Sequence, residues 1–148
     1  MTPALLVVGL NHTTAPVEVR ERLAVRDAEL AGALMELTAA SGLGEALLLS
    51  TCNRVEVWGV ERASGAAGAV IRWLAGQNGS LPAELAGHLY VRRGPEAIAH
   101  MAAVAAGLDS MMVGEPQILG QVKAAHAAAV AHGAAGPVLA EATGHALR

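Results

Sequence analysis

The strongest constraint on this chain is the order in which short apolar runs alternate with longer helical patterns. LLVVGL at residues 5–10 is a buried strand closed by the polar turn NHTTAP. Residues 17–23 carry paired charges and suit a single helical turn. Asp27 is a candidate N-cap for a helix over residues 28–40, with Leu30, Ala33, Leu34 and Leu37 on one stripe, and the Ser41–Gly44 cluster stops it. Residues 46–51 read as a second strand and the alternating 55–60 as a third, with Cys52, Asn53 and Arg54 as the corner between them. A helix over residues 69–75 and a short strand at 89–91 complete the order βαββαβ. That order predicts an α+β fold, a ferredoxin-like split βαβ with an antiparallel sheet. The expected division is a ferredoxin-like subdomain over residues 1–93 and a helical segment over 94–148, with helices at 96–106, 122–132 and 137–148.

Composition agrees with a core of small aliphatic side chains. The 148 residues include no Phe, one Tyr and two Trp, while 53% are hydrophobic. Such a core favours closely packed helices. A single cysteine excludes an internal disulfide and fits a reducing compartment. No stretch reaches the roughly 18 uncharged apolar residues of a membrane span, and the N-terminus has no basic leader. The chain is expected to be cytoplasmic. Its net charge of −3 lacks the basic excess of a general nucleic-acid binder. Arg20, Arg22 and Arg26 are interleaved with Glu18, Glu21 and Asp27, as on a salt-bridged surface.

Several motifs are missing. Gly42 and Gly44 follow a helix rather than a strand, so no dinucleotide fingerprint is present, and there is no P-loop. His126 and His132 are six apart, unlike an i,i+4 metal pair, and one cysteine cannot make a zinc cluster. No metal site is expected.

The chemistry that remains centres on Cys52. A thiol becomes a nucleophile when nearby positive charge stabilises its thiolate, and Arg54 lies two residues away. The planar fork of Arg54 also suits a carboxylate, although a surface ion pair with Glu56 is the simpler expectation. His100, on an otherwise apolar helix, reads by itself as a core histidine satisfied by one hydrogen bond. Ser110 reads as a helix cap, and Glu115, Pro116 and Gln117 as a turn.

Three segments, taken together and in order, change that reading. GLNHTTAPVEVRERL (residues 9–23), LLSTCNRVE (48–56) and GLDSMMVGEPQILGQVK (107–123) resemble the signature motifs of glutamyl-tRNA reductases. The resemblance implies an NADPH-dependent oxidoreductase that converts glutamyl-tRNA to glutamate-1-semialdehyde, the first step of tetrapyrrole and haem biosynthesis by the five-carbon route. It implies that Cys52 attacks the aminoacyl ester and holds glutamate as a thioester, with His100 as the second catalytic residue. Thr51, Asn53, Arg54, Ser110, Glu115, Pro116, Gln117 and Gln121 match substrate-binding positions, with Arg54 facing the glutamate carboxylate. The family continues into an NADPH-binding domain and a dimerisation domain, so no cofactor-binding residue is expected in this chain. Glutamate-1-semialdehyde aminomutase and regulatory proteins are the further partners implied. Two other readings stand beside this one. One is a non-catalytic module binding a regulatory protein or haem, with Cys52 or a histidine on the iron. The other is a generic thiol acyltransferase or hydrolase built on Cys52 and His100.

Overall fold

The computed structural model describes residues 4–40, 42–107 and 116–147. Four strands, β1 (Leu5–Asn11), β2 (Leu43–Ser50), β3 (Arg54–Glu61) and β4 (Tyr90–Arg93), form one sheet in the order β2-β3-β1-β4. Every neighbouring pair is antiparallel. β1 and β2 therefore run the same way with β3 between them, which is the split βαβ arrangement the element order predicts.

Among the described residues, seven helices surround the sheet: α1 (Val17–Leu23), α2 (Asp27–Ala40), α3 (Ala66–Asn78), α4 (Pro82–Ala86), α5 (Pro95–Ala105), α6 (Pro116–Ala131) and α7 (Pro137–Ala146). α5 packs on β1 and β4, and α7 on β2 and β3, while α2 packs on β2 and α3 on β1. With helices on both sides, all seven residues of β1 are buried. That explains why the strand reads as a continuous apolar run rather than an alternating one. The predicted stripe on α2 is the packed one, with Ala33, Leu34 and Leu37 buried and Leu30 partly so.

The sequence boundaries need four corrections. Residues 17–23 form a seven-residue helix rather than one turn. β2 begins at Leu43, because a register shift between Leu43 and Glu45 absorbs Gly44 as a bulge. α3 continues through Gly76 until Gly79, whose φ of 70° suits a left-handed cap. α6 starts at Pro116, six residues earlier than expected. α4 was not anticipated at all. Pro82 and Pro116, the latter expected in a turn, each occupy the start of a helix, where the missing N–H costs nothing.

Two contacts tie the C-terminal helices to the edge strand β2. The Ala46 N–H donates to the Ala134 carbonyl at 2.9 Å. The Glu45 carboxylate accepts from the first backbone N–H groups of α7, at Gly136 (2.7 Å), Val138 (3.3 Å) and Leu139 (2.9 Å). A side chain more than ninety residues upstream thus caps α7, which has no side-chain cap of its own. A Cβ on Gly136 would come within 3.0 Å of the Glu45 carboxyl carbon, so glycine permits the approach. Replacing Glu45 with Ala removes this cap and its charge at the helix N-terminus. The expected loss is about 1–2 kcal/mol, read from the urea midpoint of unfolding.

Candidate active site

On β3, residues 54, 56 and 58 point to one face of the sheet and 55 and 57 to the other. The face carrying Arg54, Glu56 and Trp58 is the one α5 covers, since His100 of α5 reaches Glu56. A row of polar side chains inside an aliphatic core requires internal partners. The register supplies them. Gly9 of β1 lies between Glu56 of β3 and Tyr90 of β4. A Cβ at Gly9 would meet the Glu56 Cγ and the Val55 carbonyl oxygen at 2.6 Å. With no side chain there, Glu56 and Tyr90 meet across β1.

Glu56 is completely buried and accepts four hydrogen bonds. Oε2 takes Arg54 Nη1 at 2.8 Å, the Tyr90 hydroxyl, and His100 Nε2 at 2.8 Å. Oε1 takes Trp58 Nε1 at 2.6 Å. The four donors equal the lone-pair sites of a carboxylate in number, with Oε2 shared among three of them. Burial pushes the Glu56 carboxyl up. The hydrogen bond and charge of His100 oppose this, joined by the charge of Arg54 and the Trp58 hydrogen bond, and the balance holds the group below the ordinary carboxylate value. His100 is mostly buried and rests beside Tyr90, with ring centroids 5.2 Å apart. The Arg92 guanidinium lies 5.3 Å from the Tyr90 ring centre on the same strand.

Cys52 occupies the corner between β2 and β3, and its side chain is exposed. The corner is closed by Thr51, whose N–H donates to the Arg54 carbonyl at 2.8 Å. The Thr51 hydroxyl accepts from the N–H groups of Asn53 and Arg54, each at 3.2 Å. Beside it, the turn after β1 is held by Asn11, whose Oδ1 accepts from the Thr13 N–H (2.9 Å) and hydroxyl (2.6 Å). Asn11 pairs with Arg54, so the residues 9–16 and 51–54 build one end of the sheet. Cys52 is four residues from Glu56, a chain path of at most about 14 Å.

The expected surface ion pair of Arg54 with Glu56 exists but is buried, because Arg54 points into the sheet face that α5 covers. In this arrangement Arg54 has no exposed surface, and a glutamate carboxylate reaches it only if its cover opens. Gln121 lies in a different place, a cleft of about 280 Å³ between α2, α6 and the end of β2, with Val25, Leu30 and Ser50. Gln117 is exposed on the first turn of α6, which Pro116 opens. Ser110 and Glu115 lie outside the described residues. Glu56 and Tyr90 are the site residues that sequence reasoning missed. The available signal was the alternation of Arg54, Glu56 and Trp58 opposite a strand glycine.

The sheet is antiparallel throughout, whereas a dinucleotide fingerprint needs a glycine-rich turn from a parallel strand into a helix. No described helix is long and apolar enough to cross a membrane.

Taken together, the structure is a split βαβ domain with one exposed thiol at a strand corner and a buried carboxylate–histidine pair whose carboxylate lies on the strand that follows. The family model for the glutamyl-tRNAGlu reductase N-terminal domain matches residues 8–148, and the chain belongs to that family. The glutamyl-tRNA reductase of Marinobacter nauticus is 52% identical over 136 residues, covering 92% of this chain. That of Solibacter usitatus is 51% identical over 126 residues, covering 84%. The solved structure of glutamyl-tRNA reductase from Methanopyrus kandleri matches 97% of this chain with a TM-score of 0.74 at 34% identity. The chain spans about a third of the length of these relatives, 32% in the Marinobacter protein and in the Methanopyrus structure.

Proposed function

We propose that this chain performs the acyl-transfer half of glutamyl-tRNA reduction, in the cytoplasm. The observation that carries this reading is the exposed Cys52 thiol at the β2–β3 corner, two residues before Arg54, which joins the buried Glu56–His100 pair. The thiolate of Cys52 attacks the glutamyl ester carbonyl, the bond to the tRNA ribose oxygen breaks, and that oxygen takes a proton. The glutamyl group remains on sulfur as a thioester. His100 is the candidate proton-transfer group. Thr51, Asn53, Arg54, Ser110, Glu115, Pro116, Gln117 and Gln121 make up the proposed substrate pocket, with the helical segment 94–148 completing its wall. Arg54 contacts the substrate carboxylate once its cover has opened.

Reduction to the semialdehyde requires NADPH, and no step through NADPH is assigned to these residues. We assign that role to the two thirds of the longer relatives that this chain does not span. The isolated chain is therefore expected to stop at the thioester.

The test is intact mass spectrometry after mixing the chain with glutamyl-tRNA in the absence of NADPH. A glutamyl adduct on the wild type, released by hydroxylamine and absent from Cys52→Ser, is the expected result. An adduct that persists in Cys52→Ser, or no adduct despite tRNA binding, would remove Cys52 as the acyl acceptor in this chain.

A further inference from the structure

We infer that Glu56 and Tyr90 fix His100 in the tautomer carrying its proton on Nε2, so that Nδ1 is the ring nitrogen that exchanges a proton during acyl transfer. The second half of this statement rests on the thioester reading above. The first half rests on geometry. An ionised carboxylate only accepts hydrogen bonds, and Glu56 Oε2 lies 2.8 Å from His100 Nε2. Nε2 must then be the donor, and in the neutral ring the lone pair is on Nδ1. The Arg54 charge and the hydrogen bonds donated by Arg54, Trp58 and Tyr90 keep Glu56 an acceptor, and its burial leaves it no exchange with water.

Tyr90 is a positioning residue in this scheme. Its hydroxyl donates to the same Oε2 that His100 uses, and its ring packs beside the imidazole at 5.2 Å. It thus contacts both members of the pair, holding the carboxylate oxygen from one side and the ring from the other. Flipping the His100 ring would put Cε1 in place of Nε2 against a buried carboxylate. No hydrogen bond engages Nδ1 among the described residues, and 12% of the His100 side chain remains open to solvent.

The tautomer can be read directly from long-range proton–nitrogen spectra of the 15N-labelled chain in alkaline buffer, with His100 assigned by its disappearance in His100→Gln. The expected pattern is a protonated Nε2 and a bare Nδ1. Tyr90→Phe keeps the ring contact and removes the hydroxyl. Glu56 Oε2 then serves two donors instead of three, and the His100 Nε2 proton is expected to move downfield with the tautomer unchanged. A protonated Nδ1 in the wild type, or an unmoved Nε2 proton in Tyr90→Phe, overturns the assignment. For the reactive nitrogen, glutamine at position 100 still offers an N–H to Glu56 but nothing in place of Nδ1. His100→Gln is expected to form the thioester about a hundredfold more slowly, and a rate equal to wild type overturns that role. The spectra need no substrate, so a wild-type chain that shows the tautomer but forms no adduct would count against the proposed function and not against the tautomer.

Discussion

Glu56→Ala is expected to cost about 3–5 kcal/mol, enough to unfold much of the population of a typical domain near physiological temperature. The loss comes less from the missing carboxylate than from what remains behind. Arg54 is buried with its Nη1 on Glu56, and truncation removes that carboxylate from beside a buried guanidinium. Tyr90, Trp58 and His100 lose the same acceptor. Thermal or urea unfolding checks this, and a change below about 1 kcal/mol would mean that the cluster relaxes into solvent. The same group sets a pH dependence. The folded carboxyl lies below its ordinary value of 4.5, so its stabilisation is fully present above that pH. It is lost as the pH falls from there through the folded value, because the unfolded chain binds the proton first. Glu56→Gln should flatten that acid limb of the stability profile. A limb as steep as wild type would assign the dependence to other groups.

Gly9→Val is expected to be comparably damaging, at about 3 kcal/mol or more. The clash is not with a flexible side-chain end alone. The added Cβ meets the Val55 carbonyl oxygen at 2.6 Å and the Glu56 Cα at 2.8 Å, so β1 and β3 must part at the centre of the sheet. The same atom intrudes between Glu56 and Tyr90. The prediction is checked by comparing Gly9→Ala and Gly9→Val with Gly76→Ala, which adds a Cβ where nothing lies within 4 Å. Loss of stability confined to the two position-9 variants is the expected outcome. Equal tolerance at both positions would show that the strand pair yields without cost.

The elements were legible where a single local pattern decided them. The apolar run of β1, the stripe of α2 and the corner at Cys52 each follow from side-chain period or turn chemistry within a few residues. α4 and the first turns of α6 were not legible, because Pro82 and Pro116 carry the same signal in a turn and at a helix start. The site divides in the same way. Cys52 and His100 could be singled out as reactive types, but Glu56 looked like a surface partner of Arg54. Its burial depends on which residue faces it across β1, and its donors Tyr90 and His100 lie 34 and 44 positions away. No window of sequence contains that neighbourhood. It exists only once the β1–β3 register is set, and Gly9 records it as an absence of side chain.

The hydrogen bond from Ala46 to the Ala134 carbonyl has a consequence for solubility as well as for stability. An edge strand with free N–H groups is a template for strands from other molecules. β2 is eight residues long and rich in leucine, the kind of edge most prone to recruit a second copy into a continuous sheet. The segment between α6 and α7 occupies that edge, while the opposite edge, β4, is only four residues long and ends in Arg92 and Arg93. α6 and α7 therefore serve as a guard against intermolecular strand addition: a lesion that detaches them, even one that leaves the sheet intact, is expected to turn the uncovered β2 edge into a nucleus for aggregation.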